Sequence, residues 1–286
     1  MGGMTTTATT SHEAAGAHEA PGREPGGNAA PSSSAPCEWQ ISNFKDTRAS
    51  RKAAKRAAEG LPPDPARESR VQRIKKNVRE YTVGEEIANS ISHGIGAALA
   101  VAAIPISIVV AVSHGGGVAL AAALIYTISM LLEYTASTLY HALVPAPAKR
   151  VFKILDHSAI YLFIAGSYTP YCLITLAGSG GMWLCVGVWA LAIVGMALEA
   201  FWVFRPRWVS VVIYLLLGWC VVGFLPALVA NLAAPGLILL LAGGICYSIG
   251  CVFYVLKKVR FMHTVFHLWV LAGSVLQFLS IVLYVL

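Results

Sequence analysis

The stretch "VALAAALIYTISMLLEYTASTLYHALVPAPAKR", Val118 to Arg150, decides the fold. It is apolar from Val118 to Val144, then meets a proline-rich turn and two cations, Lys149 and Arg150. A transmembrane helix needs ~20 apolar residues, so this segment is long enough to span a bilayer and end at a basic surface. One face departs from the lipid pattern. Glu133, Ser137 and His141 recur every fourth residue and so stand above one another on a single side of the helix. Polar groups in hydrocarbon are costly and mark an interior with a task, so this face predicts a polar interior shared with other helices.

The rest of the chain agrees with a membrane reading. Of its 286 residues, 57% are hydrophobic and only 12% charged, with a mean hydropathy of +0.66. That composition excludes an ordinary soluble domain. The net charge of +7 would suggest nucleic acid as a partner of a soluble protein. Here bilayer orientation accounts for it, and no nucleic-acid partner is expected. None of the six cysteines forms a CxxC pair and all but Cys37 sit in apolar runs, which argues against disulfide staples or a thiolate metal site.

After Gly84 seven apolar segments follow, at about 87–112, 118–144, 152–177, 182–204, 208–231, 236–256 and 261–286. Their connections are short: "SHGGG", "PAPAKR", "GSGG", "RPR", "LAAP" and "KKVR". Neighbours joined so closely must pack antiparallel. The expectation is an all-α, polytopic membrane protein with seven transmembrane helices in one bundle over residues 85–286. Residues 1–84 are rich in Ala, Gly, Ser, Thr and Pro at their start and basic further on. They are expected to be a disordered cytoplasmic extension with no signal-peptide core. Its run "ARESRVQRIKKNVREY" fits a helix along an anionic leaflet or a plain solvated helix.

Charge placement orients the bundle. Thirteen Lys and Arg precede the first segment. The others are Lys149, Arg150 and Lys153, then Arg205 and Arg207, then Lys257, Lys258 and Arg260, which completes the 21 of the chain. All lie in the N-terminal extension or at even-numbered connections. The expected topology puts the N-terminus in the cytoplasm and the C-terminus outside, in the cell membrane.

That topology brings distant residues to one layer. The second segment ends inside with Ser137 and His141. The third starts inside with Asp156 and His157, and the seventh with His263 and His267 one turn apart. Two histidines at i and i+4 can grip one metal ion, and a third from another helix completes a three-nitrogen set. Three protein ligands with an open position is how catalytic zinc is held. Zinc acidifies water, a carboxylate such as Asp156 can deprotonate that water, and Ser137 can hydrogen-bond it or an oxyanion. Each residue also has a plain reading. HxxxH suits two histidines at headgroup level, a membrane Ser bonds its own helix, and Asp156 can pair with Lys153 or Arg150. Glu86, Asn89 and His93 share a face of the first segment and fit either an outer layer around the site or buried structural polarity. Glu85 reads as structural. Glu133 and Glu199 fit a proton path or buried acids.

Taken together, "EEIANSISHGIGA", "STLYH", "LDHSAIYLFIAGSYTPY" and "HTVFH" resemble the hemolysin III family, the bacterial branch of the progestin and adiponectin receptor group. The resemblance covers about Gly84 to Leu286. It implies that His141, His263 and His267 bind Zn2+, that Asp156 holds a zinc-bound water and that Ser137 supports it. It also implies hydrolysis of ceramide-type lipid amides, or esters, in membrane-lipid homeostasis. Two other functions fit the same resemblance: a pore-forming cytolysin, and a sensor of membrane state with structural zinc. The short outer loops offer no surface for a protein hormone, and the extension before residue 85 lies outside the family pattern.

Overall fold

The structure is a computed structural model and describes residues 47–62, 64–65, 81–202, 206–256 and 259–286. Most of the N-terminal extension, including residues 66–80 of its basic run, lies outside the described residues. Within the extension one helix is described, α1, Thr47–Ala58. The membrane part is helical, with no strand among the described residues. Its helices are α2 (Val83–His114), α3 (Gly116–Ala142), α4 (Ala146–Pro170), α5 (Gly181–Trp202), α6 (Arg207–Trp219), α7 (Leu225–Asn231), α8 (Ala234–Val255) and α9 (Met262–Tyr284).

Among the described residues, six segments are long and apolar enough to cross a membrane: α2, α3, α5, the continuous stretch Arg207–Asn231, α8 and α9. The remaining expected span is α4. It is of similar length, but Lys149, Arg150, Lys153, Asp156 and His157 crowd its first half and dilute its apolar character. It packs between α3 and α5 all the same. Two spans are irregular. α4 passes at Pro170 into a π-helical turn, Tyr171–Thr175, and a 3₁₀ turn, Cys220–Phe224, separates α6 from α7. Proline lacks the N–H that continues an α-helical ladder, and π turns accommodate such breaks.

Each helix packs on the next through α2, α3, α4 and α5, α8 packs on α9, and α9 returns to α2. The helices are inverted relative to soluble ones. On α2 the exposed stripe is Ile87, Ile91, Ile95 and Leu99, while Asn89, Ser92, His93, Gly96, Ala100 and Ser107 are buried. Lipid tails are as apolar as isoleucine, so helices associate through small and polar contacts instead. Gly96 shows the geometry: an added Cβ would fall inside the Tyr134 ring of α3. The equivalent approach of α4 to α3 puts Gly166 against Ser129.

The start of α2 sets the register of the site. Thr82 caps it, with the Thr82 N–H donating to Glu85 Oε2 at 2.9 Å. The other oxygen, Oε1, accepts the N–H of Phe261 at 2.9 Å. Phe261 has φ of 60°, a left-handed turn just before α9. One carboxylate therefore fixes the first turns of α2 and α9 side by side, at the end of the bundle where Lys149, Arg150, Arg207 and Arg260 lie.

Candidate metal centre

At that basic end α3 contributes His141 from its last turn, and α9 contributes His263 and His267 from its first two turns. One ring nitrogen from each lies within 4.8 Å of the others, and all three side chains are buried. Nε2 of His263 and Nε2 of His267 are 3.1 Å apart. Two imidazole lone pairs that close repel unless a proton or a shared cation lies between them.

α2 orients the rings from behind. Nδ1 of His141 lies 2.7 Å from Glu86 Oε2, and Lys149 Nζ holds Oε1 of the same carboxylate at 2.7 Å. Nδ1 of His267 lies 3.2 Å from the Asn89 carbonyl and 3.0 Å from Ser92 Oγ. A carboxylate and a carbonyl only accept, so the Nδ1 atoms carry the protons and the Nε2 lone pairs are left for a ligand. Asn89 is itself tied to α9 by Thr264, whose hydroxyl donates to Oδ1 at 2.6 Å. Metal-binding histidines have this arrangement of outer partners, which sets tautomer and ring direction. The donor set fits a metal ion: three neutral nitrogens on rigid helices, with their second nitrogens occupied at two of three positions. Imidazole suits zinc and other borderline divalent metals.

A cap closes the basic side. Tyr81 stacks on His263 with ring centres 4.8 Å apart and meets His141 edge-on at 5.6 Å. Arg207, at the start of α6, donates to the Tyr81 hydroxyl and, at 3.2 Å, to the Tyr254 carbonyl. Its guanidinium also lies over the Tyr254 ring at 4.9 Å.

Inside the cap a small cavity is lined by His263 and His267 together with Ser137, Asp156, His157, His93 and Glu133. Its free space admits roughly one or two waters. Asp156 and Ser137 are both buried there. Of the five residues expected at one depth, Ser137, Asp156, His263 and His267 line this cavity, and His141 clusters with the two histidines of α9. His157 lines the cavity and turns its Nδ1 to within 3.6 Å of Glu199 Oε2. Glu199 accepts from Tyr214 at 3.3 Å. Glu85 is the structural carboxylate expected. His114 lies exposed at the far end of α2, with Nδ1 3.2 Å from its own helix at the Val110 carbonyl.

Tyr81, Ser92, Lys149, Arg207 and Tyr254 were invisible as site residues in the sequence. Lys149 and Arg207 read there only as orienting charges. Ser92 sits one residue from the face shared by Glu86, Asn89 and His93, where 3.6-residue periodicity does not single it out.

Fold and site together define a multi-pass helical membrane protein whose core carries a buried trio of imidazoles able to hold a metal. The chain belongs to the haemolysin III family: the model for haemolysin-III related proteins matches residues 81–278. It is 46% identical over 204 residues to Hemolysin-3 of Bacillus cereus, covering 71% of this chain and 93% of that protein. It is 41% identical to the Hemolysin-3 homolog of Bacillus subtilis, covering 71% and 96%. A more distant similarity, 26% over 167 residues, is to human monocyte to macrophage differentiation factor, covering 56% of this chain and 68% of that one.

Proposed function

We propose that this chain is a zinc-dependent hydrolase of lipid amides or esters in the cell membrane, with its basic end facing the cytoplasm. The observation that carries the reading is the sharing of one cavity by an acid, Asp156, a hydroxyl, Ser137, and two of the three clustered imidazoles, His263 and His267. His141, His263 and His267 would hold Zn2+, which supplies Lewis acidity and acidifies water. Asp156 accepts the proton of the attacking water as its oxygen bonds to the acyl carbon. The same carboxyl then gives that proton to the departing nitrogen or oxygen, releasing a fatty acid and an amine or alcohol. Ser137 donates a hydrogen bond to the oxygen on which negative charge develops. Lipid enters laterally, since the outward faces are aliphatic and the connections are short.

The test is release of free fatty acid by zinc-loaded protein from a panel of short-chain ceramides, other lipid amides and esters in mixed micelles. Release from none of them would remove the hydrolase reading. A second reading is favoured by the small free volume: zinc then braces α3 and α9, and the protein reports membrane state through helix packing. A cytolytic role rests on the names of the relatives alone.

A further inference from the structure

The inner end of the cavity holds two polar side chains to which the proposed chemistry assigns no task. Glu133 lies two turns deeper along α3 than His141, about 12 Å of helix rise. His93, on α2, lines the cavity with it. His93 is 2% and Glu133 3% exposed, and neither ring nitrogen of His93 nor Oε2 of Glu133 has a hydrogen-bond partner. Their surroundings are already committed. His93 lies flat on His267 with ring centres 3.5 Å apart, and Tyr134 meets it edge-on at 4.9 Å. The Tyr134 hydroxyl donates to Ser274 at 2.7 Å. A buried imidazole and a buried carboxyl oxygen left without partners are costly, and ring stacking satisfies neither nitrogen.

We propose that His93 and Glu133 form a hydrogen-bonding subsite that receives a hydroxyl group of the lipid headgroup, deeper than the bond that is cut. A neutral imidazole offers one donor and one acceptor, and the free carboxyl oxygen offers an acceptor. A hydroxyl, which donates once and accepts twice, matches that pair. The free space of the whole cavity is small, which favours a hydroxyl over a phosphate or a sugar. His93 is therefore a positioning residue and not a fourth metal ligand. The assignment rests on the lipid-hydrolase reading for its ligand.

The experiment uses two amides of equal size, N-hexanoyl ethanolamine and N-hexanoyl propylamine, which differ by a hydroxyl in place of a methyl. Binding and fatty-acid release are measured on zinc-loaded full-length protein, wild type, His93→Phe and Glu133→Leu. Sites built around a substrate hydroxyl discriminate strongly against its absence. The expected result is about tenfold or greater preference of the wild type for the ethanolamide in Kd. In both variants that ratio falls towards one while zinc content is unchanged. Equal binding of the two amides by wild type overturns the subsite whether or not the variants fold, as does absence of binding by either. Undiminished preference in the folded variants overturns it too. Release without hydroxyl preference leaves the hydrolase and removes the subsite. Hydroxyl-dependent binding without release does the reverse.

Discussion

Glu86 of α2 holds His141 of α3 at 2.7 Å through Oε2 and Lys149 of α4 at 2.7 Å through Oε1. One carboxylate thus fixes the tautomer of a candidate ligand and neutralises a buried ammonium. Lys149 also donates to the Tyr140 carbonyl at 3.0 Å, which ties the α3–α4 turn into the same network. Removing the acid frees the imidazole to turn or change tautomer. Glu86→Ala is expected to weaken zinc binding about 10–100-fold, the usual cost of losing an outer partner. Glu86→Gln, which keeps an acceptor for Nδ1, should recover much of it. Zinc competition against a chromophoric chelator measures both. Wild-type affinity in Glu86→Ala would show that the contact does not orient His141.

The ligand set is tested by composition. Zinc-loaded protein should contain one zinc per chain, and Ala at His141, His263 or His267 should remove it on purification. His114→Ala, at the exposed far end of α2, should keep it, and so should His93→Ala. Elemental analysis decides. Full occupancy in His263→Ala would refute the set.

Asp156 and Ser137 separate catalysis from bracing. Asp156→Asn preserves size and hydrogen bonding but cannot take a proton. It should retain zinc and thermal stability while losing ~10²–10⁴-fold in fatty-acid release. Ser137→Ala should cost ~10²-fold, as expected for one oxyanion donor. If Asp156→Asn works as well as wild type, proton transfer lies elsewhere.

Orientation is tested by single-cysteine labelling in intact cells. Positions 116 and 179 and the C-terminus should react with an impermeant maleimide, and position 148, beside Lys149, should not. Reaction at position 148 under those conditions would reverse the assignment of the basic end.

Packing makes its own prediction at Gly96, where a Cβ would fall inside the Tyr134 ring. Gly96→Ala should destabilise by about 1–3 kcal/mol, the range for overpacked sites. Tyr134 also meets His93 edge-on, so the substitution should disturb the inner end of the cavity as well. A thermal melt in detergent reads the first effect. An unchanged melting temperature would mean that α2 and α3 separate freely there.

Sequence by itself determined the helical membrane architecture, because hydropathy over ~20 residues and the sign of connecting charges act locally. It also determined that His263 and His267 share a face and that Ser137 stands beneath His141, since those spacings follow from one helix's period. Position along each span also follows from the sequence, once consecutive spans are taken to alternate in direction. Rotation of each helix about its axis was not. Whether Asn89 and Ser92 meet His267, whether Glu86 meets His141 rather than water, and whether Tyr81 covers His263 depend on how α2, α3 and α9 turn towards one another. That turning is decided by close contacts such as Gly96 on Tyr134 and by the Glu85 carboxylate joining Thr82 to Phe261. These are contacts between residues as many as 176 apart in sequence, with no period to betray them. Only the tertiary structure could turn a shared layer into a site.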